Sequence, residues 1–168
     1  MVENTDYLKN MTVEMFIRRF AIRERLSDAI ETAYTDQELI AYVNDAINMI
    51  WQVMVQNDYD EAAGWLTMNE TEMYIPDGYG TPTGKPPVCR DGDKLTCYGD
   101  LPCTFRYWKQ PPRVDTLTST LPTDSFFMKP ALANLMAQIV IALAMQNHGF
   151  DMGSEMDFAT GIAKLLPK

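Results

Sequence analysis

The stretch 35–54 constrains the fold most, because its sequence marks both the start of a helix and the side that the helix buries. Thr35 and Glu38 match the S/T-x-x-E capping box, in which each side chain pairs with the other residue's backbone N–H. Apolar residues then recur at three- and four-residue steps, which gathers them on one side of a helix: Leu39, Val43, Ala46, Ile47, Ile50, Trp51 and Met54. The other side carries only Asn44, Asp45, Asn48 and Gln52. The sequence therefore predicts a packing helix and favours assembly over catalysis.

A first helix is predicted over residues 12–32, with Thr12 as its N-cap. Its expected inward side consists of Met15, Ile22, Leu26, Ala29 and Ile30. Since only a short connection precedes the capping box, residues 12–57 are expected to form a helical hairpin. The same helix carries a cluster of arginines, for which a solvated or salt-bridged surface is the expected explanation: Arg18, Arg19, Arg23 and Arg25.

Residues 63–112 hold most of the prolines and are predicted to form short strands and loops. The segment from Trp65 to Ile75 is expected to be one strand or hairpin. An Asp91-Gly92 turn is expected to join two further strands. Alternation along residues 103–108 predicts a half-buried strand that Pro111 and Pro112 end.

Two helices are predicted over residues 130–166. The apolar run 131–145 would span only about 22 Å as a helix, against a hydrocarbon core of about 30 Å, so it indicates a buried helix and not a membrane span. This helix is expected to lie at the centre of its own fold or between subunits, with Gly149 as its C-cap. Ser154 is expected to cap the last helix, whose inward side would be Met156, Ala159, Ile162 and Ala163.

The order of these elements predicts one domain, residues 1–168. Its fold class is mainly α with a small β-rich, Pro/Gly-rich insertion (α+β), in which a helical hairpin is joined by C-terminal helices. No signal peptide is apparent, so the chain is expected to be made and kept in a cytosol. A net charge of −9 argues against tight nucleic-acid binding, which depends on Lys and Arg, but is compatible with a surface that lets DNA slide past.

Candidate chemical groups are sparse. The one histidine, His148, ends the apolar helix, where it suits the helix dipole. Cys89, Cys97 and Cys103 lack the C-x2-C spacing of most zinc sites, and free thiols in small strands are the expected state. The segment Gly78–Lys85 lacks the first glycine and the hydroxyl of a phosphate-binding loop and is expected to be a flexible or partner-facing loop.

The carboxylates give no better candidate for chemistry. Groups such as Asp58, Asp60 and Glu61, or Asp91 and Asp93, fall in turn-like stretches, where solvated charge is the usual explanation. We therefore predict no catalytic, cofactor-binding or metal-binding residues, no cofactor, and no enzyme activity.

The chain resembles the head-tail adaptor proteins of tailed bacteriophages, also called connector or head-completion proteins. The resemblance covers residues 16–145 and depends on the order of elements and on no exact motif. An Arg-rich helix, RRFAIRERLSDAI, precedes the capped helix TDQELIAYVNDAINMIW. A strand closing in Ile75-Pro76-Asp77, a Leu101-Pro102 turn leading into the segment Phe105–Lys109, and the apolar helix follow.

The resemblance implies a non-enzymatic virion structural protein, made in the host cytoplasm and located at the head-tail interface. Such proteins form a homo-oligomeric ring, commonly a dodecamer, between the portal protein and a tail or nozzle protein. The ring extends the DNA ejection channel, so DNA passes without sequence-specific binding, and no membrane is involved. The acidic balance would suit the channel wall.

Two other functions are also compatible with the sequence. One is a small cytosolic protein-binding or regulatory module that docks through its helical hairpin. It would bind its partner as a monomer or dimer, whereas an adaptor belongs to a closed ring. The other is an enzyme or zinc protein built on the cysteine-containing section, which metal analysis and the effect of a chelator on melting would test.

Ala142→Arg, which places a charge in the apolar helix, is expected to abolish folding or ring assembly, because burying an unpaired guanidinium is costly. Circular dichroism melting and electron microscopy would measure the two effects. A variant that folds and assembles normally would contradict this placement of the helix.

Overall fold

Five α-helices and six strands make up the part of the chain that the structure, a computed structural model, describes: residues 11–27, 34–122, 130–146 and 155–165. The helices are α1 (Val13–Arg19), α2 (Ile22–Ser27), α3 (Asp36–Gln56), α4 (Pro130–Gln146) and α5 (Glu155–Leu165). The strands are β1 (Ala63–Met68), β2 (Glu72–Tyr74), β3 (Tyr79–Pro82), β4 (Val88–Asp91), β5 (Lys94–Cys97) and β6 (Cys103–Lys109).

The chain divides into two compact units. The helical unit comprises the residues up to Met54 and those from Pro112 onward, and the two-sheet unit is Val55–Pro111. The predicted class, mainly α with a small β-rich insertion, is wrong: the fold is α+β with two prominent three-stranded antiparallel sheets. The local sequence patterns predicted where strands occur. They did not predict how those strands pair to form a compact unit. One folding domain over residues 1–168 stays a prediction.

Helix α3 begins as the capping box predicts. The backbone N–H of Thr35 donates to Glu38 Oε2 at 2.8 Å, and that of Glu38 donates to Thr35 Oγ1 at 3.2 Å. All seven apolar residues of the predicted inward side are buried. The assignment of Asn44 to the polar side is wrong, because its side chain is also buried.

The single helix predicted over residues 12–32 is wrong, because α1 and α2 are separate helices. Thr12 caps α1 as predicted, accepting from the Met15 N–H at 3.2 Å. Helix α1 ends at Arg19 with Phe20 as its C-cap, and Ala21 has a φ of 50°, in the left-handed region that a helix cannot contain. This break shifts the helical phase, so Val13, Phe16 and Ile17 are buried in α1 while Met15 is 46% exposed.

On α2, Ile22 and Leu26 are buried as predicted. Ala29, Ile30 and the connection of the predicted hairpin lie outside the described residues.

The chain that returns to the helical unit after Pro112 is fastened to α3 and α1 by hydrogen bonds. Asn44 Nδ2 donates to the Val114 carbonyl at 2.8 Å, and the Val114 N–H donates to Asn44 Oδ1 at 2.9 Å. The N–H groups of Val13 and Glu14, which the start of a helix leaves unpaired, donate to the carbonyls of Ser119 and Leu117. The returning segment thus forms hydrogen bonds with a buried side chain of α3 and with the backbone at the start of α1.

Helix α4 lies at the centre of the helical unit, where it packs against α2 and α5. Its residues from Leu132 to Ala144 are mostly buried, with Ala142 3% exposed. Tyr34 Oη donates to the Ala144 carbonyl at 2.8 Å across this packing. The helix was expected either at the centre of its own fold or between subunits, and the structure places it within its own fold.

The start of α4 at Pro130 and the last helix are confirmed, and Ile162 is buried as predicted. Ala163 is half-buried. Gly149, Ser154 and the side chains of Met156 and Ala159 lie outside the described part of the structure.

The two sheets have the strand orders β1-β6-β3 and β2-β5-β4. Side chains from both form one apolar core: Met68, Tyr79, Leu95, Cys97, Cys103 and Phe105 are buried in it. The single strand or hairpin proposed for residues 65–75 is wrong, since β1 and β2 are separate strands that belong to different sheets. The flexible loop proposed for Gly78–Lys85 is also wrong, because β3 pairs with β6 there. These pairings join distant segments, which local periodicity does not reveal.

Two strand predictions in this unit are confirmed. Strands β4 and β5 form an antiparallel hairpin around Asp91-Gly92, with Gly92 at a φ of 61° that glycine adopts without strain. On β6, Cys103 and Phe105 are buried while Thr104 is exposed, as the alternation predicts.

Asn44→Ala should lower the free energy of unfolding by about 2 kcal/mol or more, because it leaves the buried N–H and carbonyl of Val114 without partners. Urea titration measures this loss. Asn48→Ala, an exposed position on the same helix, is the matched control and should change stability little. Equal effects of the two substitutions would contradict the role assigned to Asn44.

Candidate interaction surface

The outer side of the β1-β6-β3 sheet carries an exposed tryptophan beside an arginine. In the antiparallel register of β1 and β6, Trp65 lies opposite Arg106 and Thr67 lies opposite Thr104. Because strand side chains alternate, these residues share one side of the sheet. The opposite side faces the core and carries Phe105, which is buried there. Trp65 is 69% exposed, which is unusual for so large an apolar side chain.

The side chain of Arg106 is held in place by three groups. Its guanidinium lies over the Trp108 ring, 4.7 Å from the centroid, and it binds Asp58 Oδ1 at 2.6 Å and Asp60 Oδ1 at 3.0 Å. The hydrogen bond that Arg106 donates to Asp58 raises the pKa of Arg106 above its ordinary value. Asp58 lies in the turn that follows α3, and Asp60 begins a short 3-10 helix, Asp60–Ala62. Arg106 is therefore a fixed charge in a preset orientation.

We call this surface the Trp65 face and define it by Asp58, Asp60, Trp65, Thr67, Thr104, Arg106 and Trp108. Its composition is that of protein–protein hot spots, which are enriched in tryptophan and arginine. Two exposed carboxylates share one guanidinium, so the ion cluster keeps a net negative charge. The face thus offers an aromatic anchor beside an acidic rim.

Other exposed apolar side chains also belong to the two-sheet unit: Tyr74, Tyr98 and Leu101. A groove of about 670 Å³ lies along β2, with Glu70, Glu72, Tyr74 and Lys94 among its lining residues. Lys94 Nζ lies 5.1 Å from the centre of the Tyr74 ring and 3.9 Å from Glu72 Oε2. Lys94 thus contacts both Tyr74 and Glu72 within the groove.

The arginine cluster of the helical unit is partly an ion-pair network centred on Glu14. Arg23 binds both oxygens of Glu14 at 3.0 Å and Asp36 Oδ1 at 3.1 Å, while Arg18 Nε binds Glu14 Oε1 at 2.8 Å. The hydrogen bond from Arg23 lowers the pKa of Glu14. The predicted salt-bridged surface is confirmed for these two arginines, which join α1, α2 and the start of α3.

We define the α1 face by Met15, Arg18 and Arg19, which lie on one side of the helix because they are three and four residues apart. Met15 is 46% exposed, and the side chain of Arg18 is 77% exposed although its Nε is bonded. This is an apolar and basic surface.

The three cysteines are free thiols and lie in strands, as predicted. Cys89 is exposed, whereas Cys97 and Cys103 are buried. Burial, and next the neighbouring Cys97 thiol, raise the pKa of Cys103. His148 lies outside the described residues, and the residues that the structure does describe contain no group of three or more His, Cys, Asp or Glu side chains placed to hold a metal ion.

Sequence reasoning missed the Trp65 face. The alternation along β6 predicted which side of that strand is buried. The pairing of β1 with β6 was not predicted, so nothing indicated on which side of the sheet Trp65 lies. Asp58 and Asp60 are exposed to solvent, as predicted, and both also bind Arg106, which was not predicted. The positions of Asp58 and Arg106, far apart in sequence, contain no local signal for the pair.

No family model matches the sequence, and neither a curated protein nor a solved structure matches the chain. Among the described helices, none combines the length and hydropathy that a bilayer crossing requires. The resemblance to head-tail adaptors therefore stays a prediction from the sequence.

Glu14→Gln should destabilise the protein at pH 7 by roughly 1 kcal/mol or less, the range of exposed ion pairs. The pKa of Glu14 in the folded protein lies below its ordinary value of 4.5, so its contribution is complete above pH 4.5 and is lost as the pH falls through the folded pKa. Urea titrations at several pH values should therefore show the variant and the wild type converging in acid. Asp45→Asn controls for the loss of a carboxylate, and a Glu14→Gln deficit that is constant with pH would contradict the network.

Proposed function

We propose that the protein is a non-enzymatic virion structural protein, a head-tail adaptor that forms a ring between the portal and the tail of a tailed bacteriophage. The observation that carries this proposal is the Trp65 face, in which Trp65 is 69% exposed in the described chain beside the exposed carboxylates that hold the mostly buried side chain of Arg106. Surfaces of this composition bind other proteins. An adaptor needs such surfaces for its neighbours in the ring, for the portal and for the next tail component.

The packing of α4 supports the same assignment. This apolar helix is buried within its own unit, so its burial does not depend on a partner chain. Docking then falls to exposed surfaces, and most of the large exposed apolar side chains lie on the two-sheet unit. A folded core with separate docking surfaces suits a protein that is added to a preformed portal.

The net charge of −9 fits the passage of DNA through the ring. Like charges on the channel wall and on the phosphates repel, so DNA would slide without sequence-specific binding. In this proposal the partners are a portal protein, a tail or nozzle protein and further copies of the chain, commonly twelve in all. The protein acts in the virion after synthesis in the host cytoplasm.

The alternative is a small cytosolic protein-binding or regulatory module, which would use the Trp65 face for one partner. The two functions differ in stoichiometry. An adaptor is present as a closed ring at one vertex of each particle, whereas a module binds its partner as a monomer or dimer and has no place in the particle.

Quantitative mass spectrometry of purified particles of the virus that encodes this chain should detect about a dozen copies for each portal ring, as cyclic symmetry requires for a ring at a single vertex. The portal protein serves as the internal standard. A copy number in the hundreds would indicate a shell component, and absence of the chain from intact particles would reject the adaptor function and favour the module.

A further inference from the structure

We propose that Cys97 and Cys103 are a redox pair, which oxidises reversibly to a disulfide that links the two sheets of the two-sheet unit. Cys97 is the last residue of β5 and Cys103 is the first residue of β6, and these strands belong to different sheets. Both residues lie within one compact unit. The inference goes beyond the proposed function and does not depend on it.

Both cysteine side chains point into the same apolar core. On β5 the buried residues are Leu95 and Cys97, and on β6 they include Cys103 and Phe105, so the alternation of each strand turns its thiol inward. Only residues 98–102 separate the two cysteines along the chain. The thiols therefore enter the core from two strand ends that one short connection joins.

The two thiols are in direct contact. Burial first, and then the hydrogen bond with Cys97, raise the pKa of Cys103. A hydrogen bond that favours the protonated thiol is one in which that thiol donates, so the Cys97 sulfur accepts from Cys103. Cys97 Sγ in turn donates to the Gly99 carbonyl at 3.7 Å. The sulfur atoms are thus neighbours in the reduced, folded protein.

The pair lies beneath an exposed part of the chain. Residues 98–102 are all exposed, whereas Cys97 is 4% exposed and Cys103 is 8% exposed. A small displacement of this connection gives a small molecule access to the sulfurs. The same displacement accommodates the specific geometry that a disulfide requires.

The third cysteine does not belong to the pair. Cys89 lies opposite Thr96 in the register of β4 and β5, and Thr96 precedes Cys97. Because successive residues of a strand point to opposite sides, Cys89 and Cys97 lie on different sides of their sheet. Cys89 is exposed, in contrast to the other two cysteines.

The oxidant in this proposal is a low-molecular-weight disulfide. The thiolate is the attacking species, and the raised pKa of Cys103 disfavours its thiolate, so Cys97 is expected to attack first. This step forms a mixed disulfide on Cys97 and releases one thiol of the reagent. The Cys103 thiolate then attacks the Cys97 sulfur and displaces the second thiol. Two protein thiols and one reagent disulfide thus give one protein disulfide and two small thiols, with two electrons passed to the reagent.

The bond would make a covalent link between β5 and β6, and hence between the two sheets. A reducing compartment keeps such a pair as thiols, whereas oxidising surroundings let the disulfide persist. The chain is thus expected to be more flexible where it is reduced and to become locked after transfer to oxidising surroundings.

A redox titration tests the pair. Full-length protein with Cys89→Ser, which removes the exposed thiol, is equilibrated with mixtures of oxidised and reduced glutathione, in buffer and in concentrated urea. Acid quenching, alkylation of the remaining thiols and peptide mass spectrometry then measure the fraction of chains with a Cys97–Cys103 disulfide.

The expected result is a disulfide that reduced glutathione reverses, with an equilibrium constant at least about tenfold larger in the folded protein than in urea. By linkage, the oxidised protein should melt roughly 4 °C higher than the reduced protein. Equal equilibrium constants in buffer and in urea, or glutathione adducts without the internal disulfide, would overturn the proposal.

Cys103→Ala in the otherwise unchanged chain is the matched control, because it also leaves two thiols, Cys89 and Cys97. It should form glutathione adducts but no internal disulfide, and its melting temperature checks that it is folded. An internal disulfide formed as readily in this variant would also contradict the assignment. If the variant does not fold, the comparison between buffer and urea decides alone, and neither result bears on the presence of the chain in virus particles.

Discussion

The paired hydrogen bonds between Asn44 and Val114 are the constraint on which the helical unit depends. They fasten the returning chain to the buried side of α3, and the same segment then supplies the carbonyls of Leu117 and Ser119 to the start of α1. A carboxamide can satisfy both backbone groups of one residue at once, which an apolar side chain cannot. Residues 112–122 are therefore held by directional bonds as well as by the burial of Val114 and Leu121.

Polar side chains make specific hydrogen bonds and ion pairs in both units, but with different consequences. In the helical unit, polar groups such as Asn44 and the Glu14 network join elements to each other. In the two-sheet unit, the ion cluster of Asp58, Asp60 and Arg106 lies on the surface and fixes a cation beside an exposed tryptophan. A side chain that is already ordered loses less entropy when a partner binds, so this arrangement favours recognition.

Features set by neighbouring residues were predictable from the sequence. The capping box at Thr35, the Asp91-Gly92 hairpin and the buried side of α3 each follow from residues within a few positions of one another. The break at Ala21 was not predictable, because alanine normally continues a helix and gives no sign of a left-handed residue. The burial of Asn44 depends on Val114, and the Trp65 face depends on β1 pairing with β6, so both needed contacts between distant segments. Because the pairing of distant strands cannot be predicted from local patterns, the two sheets were predicted to be only a small insertion.

The most direct test of this account is electron cryomicroscopy of the portal vertex in particles of the virus that encodes the chain. The account predicts a closed ring of this protein below the portal. A vertex that lacks the chain would contradict the adaptor function.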